Sequence, residues 1–570
     1  MRVNTISTCT GFVIMEKILF VIPPYVSFDS FVNPAFNDGT TTKKSGKYRN
    51  IVADFPMGVL SLSAYLKKNA NVEVKLIDFN IVLNKLESFE YKSFSELFND
   101  ILSSKKYVEF VPTIIGISTL FTPAYYNMLD IAKVCKKLFS NSLIVAGGGV
   151  PTNMYREIFK VSKSFDALCF GEGEKPMLDL IQTKNKYLHI NNNPSWITYK
   201  KIRTKKSFRH NFIIDLDEIP FFDLDIIKID DYRLTSVLST FPLAKERMKG
   251  MSFMTSRGCV HRCCFCASHS VHGRQMRFHS IVRIENDLRK LKRDYGIKLV
   301  VFFDDHFMAN RERVFKIVNI MKNLQLTAFF PASLTLYALD RKMLEALKSI
   351  GLNELVLSVE SGSDKVLREV MHKPLNLSIV KRVIKDCQEL GIDTDVAILI
   401  GLPGETKKDI EDTRSFLKTL NATWFRINIA TPLAGSEMLE ICLRKNYLKG
   451  DYISCDFKRP VIGTEDFTPE YIQEKAYALN LELNFVENSD FKLGNYKKAL
   501  RGFENTIRVK NDHAFAYYFA ARCCKSLKQN KKYMEYKNNY KKIIKDSEFW
   551  RNYFRQFNLE PLRYDLTYLN

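Results

Sequence analysis

The sequence predicts an α/β protein with three structural parts: an N-terminal doubly wound, Rossmann-like domain, a partial (β/α)6 barrel of the TIM type, and a small all-α region at the C-terminus. Three observations support this prediction. Short apolar runs typical of buried parallel strands alternate with helical stretches between residues 16 and 185. Six further strand-and-helix units follow between residues 246 and 465, and the pattern of residues 486–570 is helical.

Length and composition fit a globular protein of several domains. A chain of 570 residues exceeds one typical domain, and its 46% hydrophobic and 26% charged residues are ordinary for a globular protein. No run approaches the roughly 20 apolar residues that would span a bilayer, so we expect no transmembrane segment. The twelve cysteines form no paired framework, which indicates a reducing, cytoplasmic location.

Neither the positive net charge nor the N-terminal segment indicates a function. A net charge of +22 attracts polyanions, but lysine, asparagine, isoleucine, tyrosine and phenylalanine are abundant everywhere, as in AT-rich genomes. We therefore do not expect nucleic acid as a partner. Residues 1–15 read as a non-native or disordered leader, and we expect Met15 rather than Met1 to be the true start.

Residues 16–185 predict the doubly wound domain, with strands at 18–22, 72–77, 114–119, 143–147 and 167–170. Such sheets bind ligands beyond the carboxyl ends of their strands. Here those ends carry small polar residues and glycines, which let the backbone approach a flat ligand closely, although a plain turn is the alternative. The residues expected at this ligand site are Ser118, Thr119, Gly147, Gly148, Gly149, Gly171 and Glu172.

Two segments read as linkers between the predicted domains. Residues 186–245 lack clear periodicity, contain prolines and carry a basic cluster at 200–209, which usually means a solvated surface. Residues 466–485 are predicted to be a helical linker between the barrel and the C-terminal region.

A cysteine-rich loop follows a β-like run at residues 251–266 and delivers four cysteines within eight positions. Three of them have the spacing C-x3-C-x2-C: Cys259, Cys263 and Cys266. Thiolates bind iron-sulfur clusters and zinc alike, and a zinc site would be completed by His261 or His269. The spacing alone leaves both metals open. Cys264 falls outside this register and is not expected to be a ligand.

After this loop, the chain repeats a strand followed by a helix. The strands are predicted near residue 253 and at 298–303, 327–332, 354–359, 394–400 and 424–430. Six parallel strands with outer helices form a partial barrel, in which reactive groups gather at the carboxyl ends of the strands. Asp304 and His306 follow the second strand and are candidate catalytic residues, although either could be a hydrogen-bonded structural group.

The C-terminal region carries a repeat-like pattern. Residues 493–503 read L-G-x-Y-x2-A-x3-F, and a looser echo begins near Leu527, close to the 34-residue period of a tetratricopeptide repeat. One or two such repeats cannot bury a continuous core alone. We therefore expect this region to pack on the barrel or to bind a protein partner.

A strand ending in TSRGC and followed by C-x3-C-x-aromatic-C, with Phe265 as the aromatic residue, resembles the radical S-adenosylmethionine (radical SAM) superfamily. The resemblance implies that Cys259, Cys263 and Cys266 hold a [4Fe-4S] cluster. Its open iron would chelate S-adenosylmethionine, whose reductive cleavage yields a 5'-deoxyadenosyl radical. The six strand-and-helix units fit the barrel of this family, whereas a zinc knuckle predicts none of them.

The same resemblance implies cofactor contacts at later strand ends. Glu360, Ser361 and Gly362 follow the fourth strand and are expected near the methionine or ribose part of S-adenosylmethionine. Gly401 opens a turn like the family's G-x-PGET turn, which lies close to the adenine. Glu405 in this turn could instead cap the helix that follows.

The N-terminal domain resembles the cobalamin-binding domain that precedes many radical SAM cores, through its glycine turns and the segment FPMGVLSLSAYL. The resemblance implies that the cobalamin nucleotide lies along Ser118, Thr119 and the glycine triplet, with Pro151 and Thr152 nearby. Two departures concern histidines. Residues 78–80 read DFN where related proteins supply an axial histidine from D-x-H-x2-G, and Val150 stands where relatives often carry histidine.

Together, these resemblances imply a cobalamin-dependent radical SAM methyltransferase acting on an unactivated carbon, or on phosphorus, of a small-molecule or biosynthetic substrate. The external one-electron reductant would be a flavodoxin or ferredoxin. A radical cyclase or oxidative rearrangement without methyl transfer is one alternative, and a non-catalytic cobalamin sensor or scaffold is another. A methylthiotransferase would need a second cluster, for which Cys9, Cys135 and Cys169 are too dispersed.

Overall fold

The computed structural model of the protein describes residues 15–35, 38–204, 207–232, 248–453 and 459–562. Its strands are, in chain order, β1 (Glu16–Ile22), β2 (Thr40–Lys43), β3 (Gly46–Arg49), β4 (Val72–Asp78), β5 (Ile114–Ser118), β6 (Leu143–Gly147), β7 (Ala167–Cys169), β8 (Trp196–Ile197), β9 (Gly250–Phe253), β10 (Ser256–Arg257), β11 (Arg277–Phe278), β12 (Leu299–Phe302), β13 (Thr327–Phe329), β14 (Glu354–Glu360), β15 (Asp393–Ile400) and β16 (Trp424–Ile429).

The chain divides into two compact units. The first unit comprises the chain up to Phe28 together with Pro56–Ile214 and Glu218–Ile229. The second comprises Asp29–Phe55, Asp215–Asp217 and the chain from Asp230 onward. The predicted leader at residues 1–15 lies almost wholly outside the described residues.

The first unit is built on a six-stranded sheet with the strand order β4-β1-β5-β6-β7-β8. All neighbouring strands run parallel except β8, which pairs antiparallel with β7. β1 is buried from Ile18 onward, as a strand covered by helices on both faces should be. Its helices are Met57–Asn69, Phe79–Lys85, Phe94–Leu102, Lys105–Val108, Tyr125–Leu138, Gly149–Asn153, Tyr155–Val161, Glu174–Gln182, Lys186–Asn192 and Tyr199–Arg203. The predicted doubly wound fold is confirmed.

Part of the segment predicted to be a linker belongs to this sheet. The helix Lys186–Asn192 and the edge strand β8 follow the predicted domain limit at residue 185. Ile190, Trp196 and Ile197 are buried, and the first two pack in the apolar core of the sheet. The reason is burial: this segment lacks periodicity, but its few large apolar side chains complete the edge of the sheet.

The second unit contains two three-stranded parallel sheets, with the strand orders β13-β12-β9 and β14-β15-β16. Leu299, Val301, Phe329 and Val356 form one apolar cluster that draws on both sheets. The helices of this part are His269–His272, Ile281–Tyr295, Arg311–Asn323, Arg341–Ser349, Leu377–Glu389, Lys407–Lys418 and Glu437–Arg444. This is the predicted set of six strand-and-helix units, and the partial barrel is confirmed.

The chain after the barrel is helical as predicted, over Pro469–Leu481, Ser489–Lys492, Tyr496–Val509, Ala514–Ser526, Asn530–Asp546 and Glu548–Gln556. These helices share an apolar core. Ala499 and Phe503 of the repeat-like motif are buried in that core, whereas Leu493 is exposed. The helical character is confirmed, and the tetratricopeptide identity stays a prediction. No helix of the described residues is long and apolar enough to cross a membrane.

The first turn after helix Pro469–Leu481 is attached to the edge strand of the barrel. Glu482–Val486 forms a π-helical turn, in which Asn484 is fully buried. The Asn484 side chain accepts a hydrogen bond from the Phe425 backbone N–H and donates one to the Phe425 carbonyl, both at 2.8 Å. Because β16 has a neighbouring strand on one side only, this amide takes the place of a further strand at Phe425.

Candidate functional site

The cysteine loop closes on a short ladder at its base. β10 and β11 pair antiparallel, with Ser256 opposite Phe278 and Arg257 opposite Arg277. Gly258 follows β10 with a φ of +90°, and a side chain there would collide with the carbonyl oxygen of Gln275. Only glycine meets both conditions without strain. The TSRGC sequence therefore produces a tight entry into the loop.

The three predicted ligand thiols are all carried by this loop. Cys259, Cys263 and Cys266 are each half-buried, and the Cys266 N–H donates to the Cys263 carbonyl at 3.1 Å. Burial, with added repulsion from Asp305 and the other two thiols, raises the pKa of Cys259 to about 11. Within the described ranges, no three histidine, cysteine or acidic side chains are gathered as the ligands of a single metal ion would be. Phe265 is half-buried between Cys264 and Cys266.

Cys264 is more buried than the other three thiols of the loop. Its side chain is buried, its N–H donates to the Met371 carbonyl at 3.0 Å, and its carbonyl accepts from the Met438 N–H at 2.9 Å. Burial, then Glu437 and Cys263, raises the pKa of its thiol to about 12. The backbone around Cys264 thus anchors the loop to two later segments, and its thiol is held neutral.

Asp304 and Asp305 follow β12 and hold the strand that enters the loop. Asp304 is buried, and its Oδ1 accepts hydrogen bonds from the Thr255 N–H, the Thr255 hydroxyl and the Ser256 hydroxyl. Asp305 Oδ2 accepts from the Gly258 N–H at 3.1 Å. Both carboxylates face the loop entry.

His306 belongs to a polar cluster beside the cysteine loop. Its Nε2 lies 3.1 Å from the Tyr337 hydroxyl, and the same hydroxyl lies 3.2 Å from His261 Nε2. Burial is the main cause that lowers the pKa of His306 to about 4, so its ring is neutral at pH 7. His306 Nδ1 is buried and has no hydrogen-bond partner among the described residues. Tyr337 was not predicted, because nothing near it in the sequence marks it.

Glu360 ends β14 in an unusual conformation. Its φ is +70°, which is uncommon for a residue with a side chain and is typical of functional sites. Its carboxylate forms an ion pair with Lys373, with 3.5 Å between Oε1 and Nζ. Lys373 also lowers the pKa of His261, after burial, and acts in the same direction on Cys263. Lys373 is thus a charged neighbour of the cysteine loop that sequence reasoning missed.

Ser361 and Gly362 lie against a helix of the barrel. Ser361 is fully buried, and its hydroxyl lies 3.1 Å from the Thr413 hydroxyl, which also accepts from the Gly362 N–H. A side chain on Gly362 would approach the Thr413 Cα to 2.8 Å. These two residues let the chain pass close to the helix Lys407–Lys418 directly after β14.

Gly401 and Glu405 form the turn after β15. Gly401 has a φ of +88°, and its N–H donates to Glu405 Oε2 at 2.6 Å. The Leu402 N–H donates to the same oxygen at 3.2 Å. Glu405 is fully buried, which raises its pKa to about 8. Thr406, not Glu405, caps the following helix, through a capping box with Asp409.

The predicted ligand residues of the first unit meet at the carboxyl edge of its sheet. The Thr119 N–H donates to the Gly147 carbonyl at 2.9 Å, and Gly148 has a φ of +108°. A side chain on Gly148 would lie 2.5 Å from the Thr119 carbonyl oxygen, and one on Gly149 would lie 2.8 Å from that of Leu120. Ser118 ends β5 beside this turn and is half-buried.

Two further turns complete that edge. Pro151 and Thr152 are buried in the short helix Gly149–Asn153, and the Thr152 hydroxyl accepts from the Gly171 N–H at 3.1 Å. Gly171 has a φ of +83°, and Glu172 beside it is buried. All nine ligand residues predicted in the first unit therefore lie on three turns at one edge of the sheet.

The turn after β4, where related proteins carry an axial histidine, is occupied by a hydrogen-bond network. Asp78 Oδ1 accepts from both the backbone and side-chain nitrogens of Asn80. The Asn80 side chain in turn donates to the Pro23 carbonyl and accepts from the Tyr25 N–H. The network joins the carboxyl ends of β1 and β4 and contains no imidazole.

Comparison with known proteins agrees with this architecture. Residues 253–417 match the radical SAM superfamily, and residues 54–181 match the B12-binding domain. An uncharacterized methyltransferase of Pyrococcus horikoshii is 30% identical over 390 residues, which are 67% of this chain and 80% of that protein. The cytidylyl-2-hydroxyethylphosphonate methyltransferase of Streptomyces wedmorensis is 23% identical over 473 residues, 75% of this chain and 86% of that protein.

A solved structure shows the same fold. The cobalamin-dependent S-adenosylmethionine radical enzyme OxsB, with aqua-cobalamin and S-adenosylmethionine bound, aligns with a TM-score of 0.61. The alignment covers 97% of this chain and 85% of that one at 15% identity. With both domains matched and a relative at 30% identity over most of its length, the chain belongs to the radical SAM superfamily, among the members that carry a B12-binding domain.

Proposed function

We propose that this radical SAM enzyme is a cobalamin-dependent methyltransferase that methylates an unactivated carbon, or phosphorus, of a small-molecule or biosynthetic substrate. The observation that carries the proposal is the thiol-bearing loop held at the carboxyl ends of the barrel strands in a chain that also has a B12-binding domain. Similarity to relatives named methyltransferases supports methyl transfer over cyclisation.

The thiol loop fits a [4Fe-4S] cluster. Cys259, Cys263 and Cys266 are half-buried on one loop, so their thiolates can each take one iron, whereas the Cys264 side chain is buried. The Glu360–Lys373 ion pair beside the loop offers one negative and one positive group. That charge pattern complements the amino and carboxylate groups of S-adenosylmethionine. Gly362 and Gly401 keep the neighbouring strand ends free of side chains.

The first unit fits cobalamin at its glycine turns. Gly148 and Gly149 leave no room for a side chain, so backbone alone lines this part of the edge. Thr119 Oγ1 is buried and has no hydrogen-bond partner among the described residues, which suits a polar group of a ligand. Because residues 78–80 contain no histidine, the lower face of the corrin would receive no imidazole from that turn.

When bound, the cluster and S-adenosylmethionine supply a hydrogen-abstracting 5'-deoxyadenosyl radical, and cobalamin supplies a methyl group. The residues of this chain bind and orient these groups and exclude water. His306 is neutral at pH 7, so its ring offers one N–H donor and one acceptor. We propose that His306, with Tyr337 and His261, contacts the substrate beside the cysteine loop.

The remaining assignments extend the same proposal. The electron donor would be a flavodoxin or ferredoxin, the location cytoplasmic, and the C-terminal helices a tetratricopeptide-like region that can bind a protein partner. The proposed domain limits are 16–185 for the cobalamin domain, 246–465 for the radical SAM core and 486–570 for the helical region. Residues 466–485 and the part of residues 186–245 that follows the helix Lys186–Asn192 and strand β8 would connect them.

The proposal is tested without knowledge of the substrate. The chain is reconstituted anaerobically with iron, sulfide and cobalamin, reduced, and given S-adenosylmethionine with a deuterated methyl group. A methyltransferase should release both 5'-deoxyadenosine and S-adenosylhomocysteine and should transfer the label to cobalamin. Release of 5'-deoxyadenosine alone would favour a cyclase or rearrangement, and release of neither product would favour a sensor.

The ligand set is tested with a pair of adjacent cysteines. Cys263→Ala should lose most of the roughly four irons that a [4Fe-4S] cluster provides, together with all cleavage of S-adenosylmethionine. Cys264→Ala removes a thiol one position away and should retain both the iron and the cleavage. Equal iron content in the two variants, or stoichiometric zinc in place of iron, would contradict the assignment.

A further inference from the structure

The strongest unexplained feature of the barrel is a buried acid and a buried base on either side of Thr255. Asp304 and Arg313 are both almost fully buried. Asp304 Oδ2 and Arg313 Nε and Nη1 have no hydrogen-bond partner among the described residues. Burying two charges is costly unless they are paired and well bonded, so these groups require a reason.

Asp304 holds Thr255 and Ser256 through a single oxygen. Its Oδ1 accepts from the Thr255 N–H at 3.0 Å and from the Thr255 and Ser256 hydroxyls at 2.6 Å each. Three donors converging on one atom need a strong acceptor, and a carboxylate oxygen is the strongest that a side chain offers. Thr255 and Ser256 are themselves fully buried, so no water replaces this acceptor if it is removed.

Arg313 bonds the carbonyl of the same residue, Thr255. It lies in the first turn of helix Arg311–Asn323, and its Nη2 donates to the Thr255 carbonyl at 2.6 Å. Its guanidinium lies 5.0 Å from the ring centre of Phe278, which belongs to the returning strand β11. Arg313 thus contacts Phe278 of β11 and Thr255, the residue before β10, and Asp304 and Arg313 bind the N–H and the carbonyl of Thr255.

The gripped residues lead directly to the first proposed cluster ligand. Ser256 pairs with Phe278 in the short ladder, Gly258 donates to Asp305, and Cys259 comes next. Three residues separate Thr255 from Cys259: Ser256 and Arg257 are held in the ladder, and Gly258 is held by Asp305. A shift at Thr255 is therefore transmitted to the Cys259 sulfur.

We propose that Asp304 and Arg313 are positioning residues for the cluster: by fixing Thr255 they set where Cys259 stands relative to Cys263 and Cys266. This rests on the proposed assignment of those three cysteines as ligands. Asp304 is buried beneath the loop entry and is not a catalytic residue in this role. Groups that orient metal ligands typically change metal affinity 10- to 100-fold when removed.

The test compares iron retention in reconstituted full-length variants. Asp304→Ala and Arg313→Met should fold but release iron to a chelator roughly tenfold faster than the parent. Their reduced clusters should give broadened or shifted electron paramagnetic resonance signals. Asp304→Asn keeps one acceptor oxygen, so its iron release rate should lie between those of the parent and Asp304→Ala. Arg313→Lys should retain more iron than Arg313→Met. These last two variants carry the test if Asp304→Ala fails to fold.

A matched control separates positioning from general stability. Asp287 is also buried and bound to an arginine, Arg283, but it lies on helix Ile281–Tyr295, and among the described residues no hydrogen bond or ion pair joins it to the cysteine loop. Asp287→Asn should lower the melting temperature and leave the iron release rate and the resonance signal unchanged. The proposal is overturned if Asp304→Ala behaves in the same way. Cys259→Ala is measured alongside: if it retains its cluster, the ligand assignment itself has failed.

Discussion

Replacing Asn484 with alanine should destabilise the second unit by removing the amide that covers the edge strand of the barrel. The substitution deletes both 2.8 Å hydrogen bonds to Phe425 and leaves the Phe425 N–H and carbonyl buried without partners. An unsatisfied buried group costs roughly 1–3 kcal/mol, so the two together predict a loss of about 2–6 kcal/mol in the free energy of unfolding.

The assay uses the tryptophans of this protein. Trp424 adjoins Phe425 and packs edge-on against Phe485 at 5.7 Å, and Trp550 is buried in the same unit. A Trp196→Phe background removes the tryptophan of the first unit, so fluorescence reports the second unit alone. With a urea dependence of about 3 kcal/mol per M, a 4 kcal/mol loss shifts the midpoint by roughly 1 M.

The control is Asn538→Ala on the exposed face of helix Asn530–Asp546, which should change stability by about 0.5 kcal/mol at most. Hydrogen exchange gives a local measurement, because the Phe425 amide should exchange faster in Asn484→Ala and not in Asn538→Ala. If both variants shift the midpoint equally and the Phe425 amide stays protected, Asn484 does not cap this strand.

Two further predictions concern the turns at the strand ends. Gly148→Ala should abolish cobalamin binding, measured by absorbance after gel filtration, because the new methyl group would lie 2.5 Å from the Thr119 carbonyl oxygen at a φ of +108°. The control is Gly39→Ala, whose methyl group meets only the Asn50 Cβ, at 4.0 Å, and which should bind cobalamin normally. Burial raises the pKa of Glu405 from 4.5 to about 8, so its neutral form stabilises the fold below about pH 4.5, and this contribution is lost as the pH rises through 8. Relative to Glu405→Gln, the free energy of unfolding of the parent should therefore fall by about 3 kcal/mol between pH 5 and pH 8. If the melting temperatures of the two proteins change with pH in the same way, the prediction is contradicted.

Local patterns were sufficient for most of the fold. Runs of buried apolar residues predicted β1, β4, β5, β6 and β7 to within a few residues, because a strand covered on both faces needs such a run whatever its neighbours are. The edge strand β8 escaped prediction. It is two residues long and is recognisable only once Trp196 is seen packed in the core of the sheet.

Part of the candidate site was also predictable from local sequence, and part was not. The spacing of Cys259, Cys263 and Cys266 and the glycines at the turns are properties of neighbouring residues, and they are legible in the chain itself. Other features depend on contacts between residues far apart in sequence. One is that Asp304, and not the adjacent Asp305, binds Thr255. Another is that Lys373 and Tyr337 lie beside the cysteine loop. Strands, helices and turns depend on residues close together in sequence, so the sequence alone predicts them. The partners of a buried charge come from distant segments that meet only when the chain folds, so the tertiary structure determines them.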